Sequence, residues 1–171
     1  MDELTRRARA IRLAIFDVDG VMTDGTLFIG AEGEVFKAFN ILDGHGVKML
    51  QSAGVAAAII SGRSSEAVAR RAAELSIAHV VQGSADKSRA FDTLIASLEM
   101  KPEQCAFVGD DLPDLAVMRR CGLAVAVANA AEPVKSSAHY VTRASGGRGA
   151  VREFCELVLR AQGRLAAHTA A

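Results

Sequence analysis

Five short apolar runs punctuate the chain: residues 12–16 (RLAIF), 55–60 (VAAAII), 79–81 (HVV), 104–108 (QCAFV) and 123–127 (LAVAV). None alternates apolar with polar residues, which is the pattern of strands buried on both faces of a parallel sheet. Helical spacing fills the intervals. Residues 43–53 carry Val47 and Leu50, with Gly54 past the end; 64–75 carry Ala67, Val68, Ala72 and Leu75. Residues 86–98 carry Phe91, Leu94, Ile95 and Leu98. Residues 111–120 carry Leu115 and Met118 and close on Arg119, Arg120 and Gly122. Residues 148–162 carry Val151, Phe154, Cys155 and Val158. Strand and helix in this alternation predict right-handed crossovers and a doubly wound, Rossmann-like α/β fold, a parallel sheet with helices on both faces.

One segment breaks the rhythm. Residues 26–39 read as two alternating runs around Gly30-Ala31-Glu32-Gly33, which predicts a β-hairpin inserted after the first strand. The length, 171 residues, fits one domain over 1–171, ending in a glycine-rich tail and helix at 146–163.

Composition narrows the class. Twenty Lys and Arg offset twenty Asp and Glu, so no bulk positive charge points to nucleic acid, and no apolar run approaches the ~20 residues of a membrane span. The first nine residues lack the apolar stretch of a secretion signal. Cys105, Cys121 and Cys155 are odd in number, far apart and set among apolar residues. They read as small buried side chains in a reducing cytoplasm, not as a disulfide or zinc framework.

The chemistry gathers where the strands end, the rim at which open parallel sheets bind ligands. The first run leads into Asp17-Val18-Asp19-Gly20, the second into Ser61-Gly62-Arg63, and the fourth into Gly109-Asp110-Asp111-Leu112-Pro113-Asp114; Lys87 follows the third. Asp17 and Asp19 stand two residues apart, as same-side neighbours in a strand do, and such carboxylates repel unless a cation or shared proton compensates. Mg²⁺ suits such oxygen ligands, with Asp110 as a third. Ser61 and Gly62 suit an anion. Singly, each feature has a plainer reading: an aspartate as a cap, Ser61 as a helix start, Lys87 as a solvated charge. Jointly they fit phosphoryl chemistry, with a carboxylate nucleophile and a second carboxylate moving the proton.

The ordered set Asp17-x-Asp19-Gly20-Val21-x-Thr23-Asp24-Gly25, Ser61, Lys87 and Gly109-Asp110-Asp111-x-x-Asp114 resembles the four motifs of the haloacid dehalogenase superfamily of phosphatases. The resemblance implies that Asp17 is the nucleophile and Asp19 the general acid and base. It implies that Ser61 and Lys87 hold the phosphoryl group. Asp17, Asp110 and the Asp19 main-chain carbonyl would bind Mg²⁺, and Asp114 would support the metal's shell or Lys87. Residues 18–60 and 62–86 are too short for a cap domain, so either the substrate is macromolecular or another subunit closes the site. Phe36-Lys37-Ala38-Phe39-Asn40, Asp43-Gly44-His45-Gly46, Gln82-Gly83 and Gly146-Gly147-Arg148-Gly149 carry a further likeness. They resemble capless members acting on the phosphate of an eight-carbon sugar acid, 3-deoxy-D-manno-octulosonate 8-phosphate. That likeness implies a homotetramer with the hairpin and glycine-rich tail at subunit contacts. Arg63 and Arg71 become candidates for the sugar-acid carboxylate, and His45 for either a substrate contact or a helix start. Three alternatives stay open. One is a phosphatase of nine-carbon sialic-type 9-phosphates. Another is a non-catalytic oligomerisation module, which would be expected to lose Asp17 or Asp19. The last is a phosphoacceptor receiver domain, whose phosphorylated aspartate follows a later strand.

Overall fold

The computed structural model describes residues 1–168. Its elements run α1 (Glu3–Ala10), β1 (Leu13–Phe16), β2 (Phe28–Gly30), β3 (Gly33–Phe36), α2 (Ile41–Ser52), β4 (Ala56–Ile60) and α3 (Glu66–Glu74). They continue β5 (His79–Val81), α4 (Lys87–Ser97), β6 (Cys105–Gly109), α5 (Leu115–Met118), β7 (Leu123–Ala126), α6 (Glu132–Ser137), β8 (Tyr140–Val141) and α7 (Ala150–Ala161). Six strands form one sheet in the order β5-β4-β1-β6-β7-β8, every pair parallel. The chain winds outward from β1 in one direction and from β6 in the other. The crevice between these two strands is the point where such sheets bind ligands. No cap domain interrupts the fold, and β2 and β3 form the separate hairpin.

All five apolar runs are strands of this sheet. β1, β6 and β7 are buried along their whole length because helices cover both faces. On one face α7 lies against α1 and α2; on the other α4 packs on α5. Phe16 of β1 meets Phe154 of α7 edge to face, with centroids 5.7 Å apart. The approach of α2 to α7 depends on Gly46, where an added Cβ would lie 3.1 Å from the Arg152 main chain. Cys105, Cys121 and Cys155 are all buried, as expected, and burial pushes their thiols up, Cys105 to about 11 and Cys121 to about 12.

The differences from expectation have local causes. Helix α1 was not foreseen: it is short, buries only Ala8, and is set by Asp2, whose side chain caps Thr5 N–H. α6 and β8 span six and two residues, too few to show a period. The helix expected over 111–120 starts as a 3₁₀ turn, Leu112–Asp114, with Pro113 in its first turn. Leu165–His168 form another 3₁₀ turn, and residues 169–171 lie outside the described residues.

Asp43, buried in the first turn of α2, caps a different helix. Its carboxylate accepts the main-chain N–H groups of Gly149 (3.2 Å) and Arg152 (2.8 Å) at the start of α7. Asp43→Ala leaves those donors unpaired and is expected to cost about 1–2 kcal/mol, the usual worth of a buried cap. Urea denaturation checks it; an unchanged midpoint would show that α7 is held by its apolar face alone.

Candidate active site

The strand ends converge as the topology requires. Asp17, Asp19, Ser61, Gly62, Arg63, Lys87, Asp110 and Asp114 line one cavity of about 340 Å³. Asp17 follows β1, with its N–H on Val108 O of the neighbouring β6. Ser61, 2% exposed, follows β4. Lys87 opens α4, whose N-cap is Asp86.

Lys87 is the centre of the arrangement. Its Nζ lies 2.8 Å from Asp17 Oδ1 and 2.7 Å from Asp114 Oδ1. Burial opposes the charge on Lys87, but the two carboxylates outweigh it and hold its pKa above the ordinary lysine value. Asp114, 1% exposed, turns its other oxygen to the N–H groups of Asp110 (2.9 Å) and Asp111 (3.2 Å). Gly109 is needed here: a Cβ would sit 2.7 Å from that of Asp114. Gly20, at φ +90°, leaves the space that the Asp110 carboxylate fills, since a Cβ there would fall 2.0 Å from Asp110 Oδ2.

Asp17, Asp110 and Asp114 each offer an oxygen within 4.8 Å of the others. Burial, followed by repulsion from Asp114, lifts the Asp17 carboxyl to about 6 despite Lys87. Burial, with Asp17, Asp114 and Asp111 adding to it, lifts Asp110 to about 7. Three close carboxylates with one lysine between them are under-compensated, and a hard divalent cation meets that excess with the oxygen donors it prefers. The residues therefore fit Mg²⁺.

Two expectations change. Asp19 does not pair with Asp17, because β1 ends at Phe16 and the chain turns over 18–23. Its carboxylate stays outside the three-carboxylate cluster and meets Lys37 at 2.5 Å and Arg63 at 3.7 Å, leaving its side chain unavailable as a metal ligand. Arg71 does not reach the cavity in its own subunit. It binds Glu74 (2.8 Å) and Asn40 O (3.3 Å), over the Phe39 ring and against Gly44. Beside it, His45 sits exposed within α2. Within the subunit, the glycine-rich stretch braces the site. Gly147 N–H binds Val21 O (3.0 Å), and Asn129 joins Gly146 N–H (2.6 Å) to Gly20 O (3.1 Å). A Cβ on Gly146 would lie 1.7 Å from Gly20 O, which is why glycine stands there.

Arg63, with a half-exposed guanidinium at the rim, is where the sequence places it. Lys37, Glu34 and Asn129 were missed. A lone lysine amid the apolar positions Val35, Phe36 and Phe39 was the available sign for Lys37.

Strand-end carboxylates, a serine and a buried lysine at the switch point of this sheet define a phosphoryl-transfer site of one class, and comparison agrees. Residues 72–154 match the haloacid dehalogenase-like hydrolases. The chain is 50% identical over 164 residues to the 3-deoxy-D-manno-octulosonate 8-phosphate phosphatase KdsC of Yersinia pestis, covering 96% of this chain and 88% of that one. The chain belongs to this family of haloacid dehalogenase-like hydrolases. The same phosphatase from Moraxella catarrhalis, solved with magnesium ion, phosphate ion and a KDO molecule, superposes with a TM-score of 0.96 at 44% identity, covering 99% of this chain and 98% of that one. The cobalt-bound enzyme from Haemophilus influenzae gives 0.90 at 41%, covering 92% of each.

The raised carboxyls make a signed prediction. The folded state holds protons on Asp17 and Asp110 after the unfolded chain has lost them, so these groups favour folding at low pH. That contribution fades as pH rises from about 4 through about 7. Mg²⁺ needs the ionised forms. The Mg²⁺-induced rise in Tm is expected to grow between about pH 5.5 and about pH 7.5 and to shrink in Asp110→Asn. A pH-independent rise in both proteins would overturn this reading of the cluster.

Proposed function

We propose that the chain is a Mg²⁺-dependent phosphatase that releases phosphate from 3-deoxy-D-manno-octulosonate 8-phosphate, acting as one catalytic domain over residues 1–171. The observation that carries it is the cavity joining Asp17, Lys87, Asp110 and Asp114 in a chain this similar to phosphatases of that ester. Asp17 attacks phosphorus and the ester P–O bond breaks; the leaving alkoxide takes a proton from Asp19. Water then attacks the aspartyl-phosphate while Asp19 takes a proton back, so phosphate leaves and both carboxyls return to their starting states. Lys87, with Ser61 and the main chain of Gly62, holds the phosphoryl oxygens, and Lys87 is itself anchored by Asp114. Asp17, Asp110 and the Asp19 main-chain carbonyl would hold Mg²⁺, which would supply positive charge to offset that of the phosphoryl group. Arg63 at the rim suits the sugar-acid carboxylate.

We further infer a homotetramer built through the hairpin. Ile29 (62% exposed), Val35 (64%) and Phe36 (52%) stand open on a ribbon stiffened by the Phe28–Phe36 stack, and a two-stranded ribbon needs cover. The cytoplasm suits its three free thiols; among the described residues no helix is long and apolar enough to cross a membrane.

Phosphate release across a panel of sugar-acid phosphates, with and without Mg²⁺, tests the substrate. The eight-carbon ester is expected to turn over fastest, and faster turnover of a nine-carbon 9-phosphate would move the assignment there. Asp17→Asn is expected to lower kcat by at least about 1,000-fold; retained activity would remove the covalent step. Ile29→Lys is expected to yield smaller species in sedimentation velocity, and an unshifted tetramer would place the subunit contact elsewhere.

A further inference from the structure

Asp19 is held by a strut from the hairpin. Lys37 Nζ donates to Asp19 Oδ1 at 2.5 Å and lies 2.9 Å from Glu34 Oε2. Ser65 Oγ, at the N-cap of α3, donates to Glu34 Oε1. Arg63 lies 3.7 Å from both Asp19 Oδ2 and Glu34 Oε2. The Lys37 side chain is 2% exposed, although its hairpin leaves Ile29, Val35 and Phe36 open. A lysine loses much hydration when buried, and here two carboxylates replace it. The turn that carries Asp19 is fixed through its main chain, where Val21, Met22 and Thr23 donate to Val18 O. Those bonds leave the direction of the Asp19 side chain to its own partners. Lys37 binds Oδ1, whereas Oδ2 faces only the half-exposed Arg63 at 3.7 Å, beyond hydrogen-bond distance, and is the oxygen left for proton transfer.

We propose that Lys37 is a positioning residue, which aims the Asp19 carboxyl, protonated on Oδ2 when it acts as donor, at the leaving oxygen of the ester and so makes the hairpin part of the proton-transfer geometry. The inference rests on Asp19 being the proton donor of the proposed reaction. A donor held loosely loses reach on the oxygen it serves, and the loss falls hardest where the leaving group cannot depart without a proton.

Leaving-group chemistry tests it. An alkyl phosphate needs the proton; p-nitrophenyl phosphate, whose phenolate leaves readily, does not. Lys37→Met keeps the length of the side chain and removes the ammonium. The ratio of kcat/KM for the alkyl ester to kcat/KM for the nitrophenyl ester is expected to fall roughly tenfold or more, a part of the usual worth of general acid catalysis. Lys37→Arg is expected to restore most of the ratio, and Glu34→Gln to shift it less in the same direction. An equal fall on both esters, or no fall on either, would overturn the inference, because a structural or phosphate-binding role moves the two together. Should Lys37→Met not fold, as judged by circular dichroism, the ratio in Glu34→Gln decides. A wrong substrate assignment shows in the wild-type panel and leaves the ratio measurable on any alkyl phosphate that the wild type hydrolyses.

Discussion

A carboxylate taken out of water needs a counter-charge, and in this protein one buried ammonium serves two of them. Lys87 touches Asp17 and Asp114 from the start of α4, the helix that follows β5. The order of the strands makes that meeting possible: β1 lies between β4 and β6, so groups that follow three different strands stand at one rim. Asp114 then passes the constraint on. By accepting the N–H groups of Asp110 and Asp111 it sets the turn after β6, and through that turn the direction of Asp110. Asp17, Lys87, Asp114 and Asp110 are thus one connected electrostatic unit. Its remaining negative excess makes the site receptive to a divalent cation.

A second layer holds this unit from outside. The turn after β1 is gripped from the hairpin through Lys37 and from the C-terminal part through Asn129, Gly146 and Gly147. The two grips reach different parts of one turn: the first meets the Asp19 side chain, the second the main chain at Gly20 and Val21. Asp43 keeps the second in place by docking the start of α7 onto α2. An open-faced site lacking a cap thereby gains rigidity from segments distant in sequence.

What the sequence made legible was what chain-local chemistry specifies. Unbroken apolar runs such as 104–108 reveal strands covered on both faces. Acidic residues beside glycine at Asp17–Gly20 and Gly109–Asp111 reveal where those strands stop, and the inserted hairpin announces itself by its turn. Partners chosen across the fold were not legible. Nothing near Asp19 says that its carboxylate turns to Lys37 and away from Asp17; that follows from β1 ending at Phe16. Arg71 looked available for substrate because its sequence neighbours do not show Asn40 and Glu74 occupying it. Gly146–Gly149 shows in the sequence only as a glycine-rich stretch with a likeness to a subunit contact. One reason for its glycines, a contact of Gly146 with Gly20 too close for any side chain, lies more than a hundred residues earlier.

That last contact also orders events in time. Asp17 and the turn that follows it are made before Asn129, Gly146 and Gly147, which come more than a hundred residues later. A nascent chain that has already emerged through its carboxylates still lacks the residues that press on Gly20 and Val21. Bracing of the turn after β1 therefore waits until the chain has been made through Gly147.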